Sequence, residues 1–233
     1  MLGLGASQAQ AAVPSFSSGF ENGLFGFNLA GVGDVDPTVT SSSASSGRYS
    51  CRVVLRGGQE RSELIVGGGG GRSANSTLEF EEGDEGWFGF SFNVRKMIWG
   101  QLGIHNLIMQ FKSEGTGSPE FALQLSDVDG ERGFWSSGGA SNVDRFLAPV
   151  KPRRWHRALF HFRASNHGAG FFQVFLDGRL IDSRSRVSLI EPGEEHAYLK
   201  LGLYRNGEEL RGKSVVLLDS VKLGRTRASV QGG

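Results

Sequence analysis

The stretch YLKLGLYR, residues 198–205, decides the fold. In an extended strand successive side chains point to opposite faces, so Leu199, Leu201 and Leu203 share one face and Tyr198, Lys200, Gly202 and Tyr204 the other. The leucine face demands a core. The opposite face carries two phenols, an ammonium and a position without a side chain, which raises the question of what that face meets.

The same alternation recurs along the chain. WFGFSFNV (87–94), NLIMQFK (106–112), FALQLSDV (121–128), RALFHFRAS (157–165), FFQVFLDGRLI (171–181) and SVVLLDSVKLG (214–224) follow one another at the spacing of an antiparallel sandwich. The tetrads DGRL (177–180) and RNGE (205–208) predict hairpin turns, and DVDGER (127–132) reads as a further turn. From about Gly130 to Pro152, Gly, Ser, Asn and Trp occur without periodicity, which predicts a long loop. The 36 glycines and 17 phenylalanines, with few helix-period stretches, point to an all-β protein with many turns.

A chain of 233 residues with 38% hydrophobic content can bury one substantial core, so residues 14–228 are expected to form a single domain. Residues 1–13, with a short apolar patch followed by small residues, resemble the remnant of a secretory signal, and export is the expectation. A formal net charge of +1 offers no global field for nucleic acid or a membrane surface. No run of 18 apolar residues occurs, so no membrane span is expected. The single cysteine, Cys51, excludes an intrachain disulfide and reads as a small buried apolar residue. GGGGG (67–71) lacks the Lys-Ser/Thr pair and helix start of a phosphate loop. No His or Cys spacing suggests zinc.

Parity sorts the polar residues. In NLIMQFK, strict alternation puts Leu107, Met109 and Phe111 in the core, leaving Asn106, Ile108, Gln110 and Lys112 on the other face. By the same rule His105 joins Leu107 in a buried structural role. In ERSELIV (60–66), Arg61 and Glu63 lie opposite Ser62, Leu64 and Val66. If these faces meet, Arg61, Gln110, Lys112, Lys200, Tyr198 and Tyr204 line one groove suited to a polymer bearing carboxylates. Arg holds a carboxylate bidentately and Lys acts as a point charge. Glu63 then orients Arg61, and Gly202 leaves floor space for a sugar ring. Arg205, beside Tyr204, and His161, which shares the non-core face of RALFHFRAS with Arg163, are further substrate-binding candidates.

The trio RSEL (61–64), QFK (110–112) and YLKLGLYR, in that order, resembles the jelly-roll polysaccharide lyases. These are alginate lyases with Arg-(Ser/Thr)-Glu, Gln-(Ile/Val)-His and Tyr-x-Lys-x-Gly-x-Tyr elements, together with glucuronan lyases and heparin lyase I. WHRALFHFRASNHGAGFFQVFLDGRLI (155–181) is similar to paired strands of the glucuronan-lyase branch. The resemblance implies a concanavalin A-like β-jelly roll of two antiparallel sheets with a concave groove. It also implies β-elimination: a 4-O-linked uronate loses its C5 proton and the glycosidic oxygen leaves. Carried over by position, Arg61 and Gln110 neutralise the carboxylate and Tyr204 is the acid, with the role of base also open to it. Lys200 lowers the cost of the phenolate, and Tyr198 shapes the subsite. Lys112 stands where the family has histidine, and an ordinary ammonium is a poor base near neutrality.

The expectation is therefore an endolytic lyase acting as a monomer on an acidic polysaccharide, glucuronan-like first and alginate second, because Tyr204 continues as YRNG. The alternative is a non-catalytic, lectin-like carbohydrate-binding module. Hydrolysis would want paired acidic residues on one strand face, and EFEEGDE (79–85) reads as a charged turn instead. The chemistry requires no cofactor. GFENG (19–23) and LLDSVKLG (217–224) resemble terminal strands of carbohydrate-active jelly rolls in which a Glu and an Asp hold a structural calcium, which makes Glu21 and Asp219 the metal candidates.

Overall fold

The computed structural model of the protein describes residues 13–29, 33–67, 78–101, 103–114, 117–139 and 144–232. Most of the N-terminal tail, and 68–71 of the glycine run, lie outside the described residues. The elements are β1 (Phe16–Ser18), β2 (Phe27–Asn28), β3 (Thr38–Thr40), β4 (Ser50–Leu55), β5 (Arg61–Val66), β6 (Glu79–Phe80), β7 (Glu85–Lys96), β8 (Asn106–Ser113), β9 (Phe121–Val128), β10 (Glu131–Ser137), β11 (Arg145–Pro149), β12 (Trp155–Arg163), β13 (Gly170–Leu176), β14 (Arg179–Val187), β15 (Ala197–Arg205), β16 (Ser214–Gly224) and α1 (Arg227–Gln231). No helix among the described residues is long and apolar enough to cross a membrane.

Two antiparallel eight-stranded sheets form an open jelly-roll sandwich. One runs β14-β13-β12-β7-β16-β4-β3 with β1 on β16, the other β11-β10-β9-β8-β15-β5-β2 with β6 on β15. Alternation builds the layer between them: Phe88, Phe90, Phe92 and Val94 of β7 and Leu199, Leu201 and Leu203 of β15 all belong to one buried cluster. Phenylalanine rings bridge the sheets, Phe111 to Phe162 at 5.0 Å, Phe121 to Phe160 at 4.9 Å and Phe92 to Phe134 at 5.0 Å. Each such pair is worth about 0.5–1.5 kcal/mol beyond the area it buries. Cys51 is fully buried in this layer, and burial pushes its thiol far above the usual range.

The Asp-Gly turns form as read. Asp177 and Gly178, and likewise Asp129 and Gly130, have positive φ at both central positions, the backbone a two-residue hairpin requires. RNGE does not make a hairpin, because β15 and β16 belong to different sheets. The Asn206 side chain accepts hydrogen bonds from the amides of Glu208 and Glu209, which folds the chain into a local turn that carries it across the sandwich. The segment expected to be one long loop after Gly130 contains β10 and β11. Its glycine disguised a strand: a Cβ on Gly133 would come within 2.1 Å of the Ala148 carbonyl oxygen, so the close pairing of β10 with β11 needs the missing side chain.

Two irregularities shape the face of the second sheet that points away from the core. The pairing of β8 with β9 shifts between Leu107 and Met109, and that of β15 with β8 shifts between Leu201 and Tyr204. A bulge inserts one residue and reverses parity beyond it. Ile108 therefore joins Met109 and Phe111 in the core, and Leu107 turns outward, contrary to strict alternation. Gly202 sits at the second irregularity with φ +155°. A Cβ there would lie 2.3 Å from the Ser62 carbonyl oxygen. Its missing side chain admits the β5 backbone rather than a sugar. Substituting Gly202→Ala is expected to destabilise the fold by about 1–3 kcal/mol through strain and clash, measured as a lower midpoint in urea; an unchanged midpoint contradicts the assignment.

Candidate active site

A groove of about 1160 Å³ lies on the outward face of the second sheet, floored by β5, β15, β8 and β9 and walled by residues 117–119, 137–139 and Asp144. Antiparallel register aligns its floor. Tyr204 pairs with Arg61 and with Leu107, Lys200 with Gln110, and Tyr198 with Lys112. Residues paired across strands present their side chains to the same face, so these positions form rows crossing the groove.

Glu63 is the buried anchor of this array, 1% exposed. One carboxylate oxygen accepts a hydrogen bond from the Gln110 Nε2 at 2.5 Å, and the other lies 3.5 Å from Arg61 Nε. Burial pushes the Glu63 carboxyl upward, opposed by Lys200, Arg61 and the Gln110 hydrogen bond. Lys200 is pressed downward first by burial and then by the neighbouring Arg61 and Lys112 charges, while Glu63 holds it up. The Glu63 carboxyl thus has the Arg61 guanidinium and the Gln110 amide against it and the Lys200 side chain near enough to act on its charge.

Tyr204 stands at the end of that patch. The Arg61 guanidinium carbon lies 3.9 Å from its ring centroid, and the imidazole of His105 packs on it with ring centroids 4.6 Å apart. Tyr198, at the opposite end, has the Lys200 ammonium 5.4 Å from its ring centroid. Burial raises the Tyr198 phenol above its usual range, and Glu63 adds to the rise. Lys112 is nearly buried at the foot of this end.

The structure brings Arg61, Glu63, Gln110, Lys112, Tyr198, Lys200 and Tyr204 together, and it adds His105. The imidazole borders the groove with Leu107, in the parity strict alternation gave it; the bulge places that parity on the groove side rather than in the core. Three consecutive apolar residues, Leu107, Ile108 and Met109, were the one sequence signal that alternation breaks here. Gln124 and Asp144, also on the groove wall, carried no signal of their own.

Two substrate-binding candidates lie elsewhere. Arg205 is fully buried: its guanidinium donates to the carbonyls of Gln59, Gly57 and Gly212 and to the Ser214 hydroxyl. Strand parity turns it away from Tyr204, and it stitches two loops at the end of β15. His161 is on β12 of the other sheet, stacked on Trp87 at 4.1 Å and bonded to Glu85 and Gln173. Its non-core face is the outer face of the sheet opposite the groove.

Glu21 and Asp219 also lie away from the groove. Glu21 Oε1 accepts hydrogen bonds from the amides of Arg48 and Tyr49, and Asp219 Oδ2 from those of Ser45 and Ser46. A Cβ on Gly19 would be 3.9 Å from Asp219 Oδ1 and 4.0 Å from Glu21 Cγ, so both side chains pass close to Gly19. Among the described residues no group of three or more His, Cys, Asp or Glu side chains converges.

Comparison with known proteins follows this geometry. The family model described as polysaccharide lyase matches residues 26–222, and that span contains the whole groove floor. The chain belongs to the polysaccharide lyase family. No curated protein matches the lyase by sequence. Among solved structures it is similar to the endo-β-1,4-glucuronan lyase of the fungus Trichoderma reesei, at 20% identity and TM-score 0.65, covering 87% of this chain and 94% of that one. It is also similar to the alginate lyase Aly36B, at 11% identity and TM-score 0.58, covering 93% and 98%. A cellulose-induced protein shares 13% identity at TM-score 0.60, covering 91% and 97%. At these identities the likeness shows the jelly-roll fold of the lyase.

The burial of Arg205 generates a prediction. Arg205→Ala leaves three carbonyls of the lyase without their donor and is expected to cost roughly 3 kcal/mol of stability or more, read from chemical denaturation. A fully stable variant with weakened polysaccharide binding would contradict the structural role.

Proposed function

We propose that this lyase cleaves a uronate-containing polysaccharide by β-elimination, endolytically, with glucuronan-like chains preferred and alginate second. The observation that carries the reading is the convergence of Arg61, Gln110 and Lys200 over the buried Glu63, with Tyr204 at the edge of the same patch. Removing the C5 proton of a uronate builds negative charge on its carboxyl group, and donors fixed in advance stabilise that charge without reorganising. Arg61 and Gln110 supply those donors, with Glu63 holding both in place. The Tyr204 hydroxyl donates its proton to the departing glycosidic oxygen, beside the Arg61 guanidinium that packs on its ring. Lys112 and Tyr198 receive the neighbouring sugar, Lys112 as a point charge for a second uronate. A groove of about 1160 Å³, roomy enough for more than one sugar, supports attack within a chain.

Calcium has no step in this chemistry. We assign Glu21 and Asp219 as its carboxylate ligands, because oxygen donors suit that hard cation and both side chains pass close to Gly19. With no third acidic side chain converging on them among the described residues, backbone carbonyls would complete the shell. The ion would tie the loop around Ser45 to β16 and would act on stability alone. Chelation with EDTA is expected to lower the melting temperature of the protein and leave the turnover of the still-folded fraction unchanged; loss of turnover without a change in melting would contradict this placement.

Incubation with a panel of uronans, following the ultraviolet absorbance of unsaturated sugar ends, tests the function. The reading expects that chromophore with glucuronan. Polymer binding without any chromophore would instead indicate a carbohydrate-binding module, and reducing ends without chromophore a hydrolase. Tyr204→Phe removes one hydroxyl and is expected to lower kcat by about 10²–10⁴-fold with the melting temperature retained, whereas Arg61→Ala should raise KM and lower kcat together. Turnover of Tyr204→Phe within a few fold of the wild type would refute the acid assignment.

A further inference from the structure

The formal net charge of +1 conceals an uneven distribution. At one end of the first sheet, the adjacent strands β12, β7, β16 and β4 each begin or finish with cations. Arg153 and Arg154 lead into β12, Arg95 and Lys96 close β7, Lys213 precedes β16 and Arg56 follows β4. Backbone pairing holds these ends level: the Arg153 amide donates to the Val94 carbonyl, Lys96 pairs with Val215 and Ser214 with Leu55. Lys213 is half-buried and the other five are exposed. None of the six has an ion-pair partner among the described residues. Neighbouring strands lie about 4.8 Å apart, so the charges form a row across four strands. Arg153 keeps its place with φ +62°, a left-handed backbone that costs an arginine more than a glycine. Of the acids at this end, Asp177 is held by His156 and the Arg157 amide, and Glu60, Glu208 and Glu209 stand where β15 finishes.

The row continues from one end of the groove. Residues 97–105, which link Lys96 to β8, include no Lys, Arg, Asp or Glu. Gly103 and His105, at the far side of that link, line the groove, and His105 packs on Tyr204. The opposite end of the groove has the opposite charge. There Tyr198 pairs with Glu79, Glu81 stands 4.0 Å from His196, and Glu82 accepts a hydrogen bond from the Asn166 amide. Glu114 lies near enough to raise the Tyr198 phenol. A polyanion longer than the groove is therefore repelled past Tyr198 and drawn out past Tyr204.

We propose that this row is a second binding surface for the anionic polysaccharide, holding the part of the chain that runs beyond Tyr204 while another part occupies the groove. The inference rests on the uronate-lyase reading for its choice of polymer, but the binding it describes needs no turnover. Successive carboxylates of a uronan meet guanidinium groups, which take a carboxylate bidentately, and ammonium groups, which act as point charges. Each such contact is exposed to solvent and weak alone. Joined to the groove through one chain they add up, because each further contact is intramolecular once the first has formed. A short oligosaccharide that fills only the groove gains nothing from the row. The surface thus favours long chains over short ones, and salt weakens it. A nucleic acid carries charge of the same sign, yet only a chain already seated in the groove profits from a row placed beside it.

The test combines the substitutions Arg95→Gln, Arg153→Gln and Arg154→Gln in one variant and compares it with its parent, both carrying Tyr204→Phe to slow turnover. Calorimetry measures binding of polymeric glucuronan and of a glucuronan tetrasaccharide. The proposal expects the polymer Kd to rise about tenfold and the tetrasaccharide Kd to stay within about twofold, with melting temperature retained. In the parent, the polymer Kd should also climb more steeply with NaCl than the tetrasaccharide Kd; should the variant fold poorly, that comparison decides alone. A parent that does not bind the polymer, an unchanged polymer Kd, an equal loss for the tetrasaccharide, or parallel salt dependences overturn it. So does a short DNA duplex that binds the parent as tightly as the polymer and loses as much in the variant, which marks a surface for any polyanion. If the wild type forms no unsaturated ends on any uronan while the variant still loses the polymer, the lyase reading falls and the surface stands. An active wild type with unchanged polymer binding in the variant overturns the surface alone.

Discussion

A carboxylate buried beneath cations organises this molecule's working face. Glu63 has almost no contact with water, and burying an ionised carboxylate alone is prohibitive. The structure compensates it with Gln110, Arg61 and the field of Lys200, drawn from three adjacent strands. The consequence is positional. Side chains that would otherwise sample many rotamers are held by one anion and point their remaining donors toward the groove. Removing Glu63 would leave two cations close together with nothing between them, so binding geometry and stability are coupled at this residue.

The sheet beneath supplies the register that makes the coupling possible. β15 lies between β5 and β8, and its leucines fill the core while its phenols and ammonium face the groove. Two irregularities then break the pattern where the chemistry is concentrated. Gly202 lets β15 approach β5 closely beside Tyr204, and the shift near Leu107 turns His105 toward the same tyrosine. Irregular backbone at such places is a common way for a sheet to re-aim side chains.

Much of this was legible in the letters. The alternation of YLKLGLYR, ERSELIV and the phenylalanine-rich strands defines the sandwich and which face is polar, because period-two segregation is local. The two Asp-Gly turns were legible for the same reason. What escaped depended on partners distant in sequence. Arg205 reads as a surface cation until the loops at Gly57 and Gly212 are seen to close over it. His161 has the right parity on the wrong sheet, and no strand announces the sheet to which it belongs. RNGE has hairpin composition, yet β16 returns to the other layer. A bulge adds one residue to one strand only, so the parity rule that holds from Met109 to Lys112 fails beyond it and misplaces Ile108, Leu107 and His105.

The central claim is that one uronate carboxylate sits over the Glu63 anchor. A crystal structure of the Tyr204→Phe variant with a bound glucuronan tetrasaccharide tests it most directly. The account predicts one sugar carboxylate within hydrogen-bond distance of both the Arg61 guanidinium and the Gln110 amide, with that sugar's glycosidic oxygen beside residue 204. An oligosaccharide seated on the opposite sheet, or one whose carboxylates all face away from Arg61 and Gln110, would contradict it.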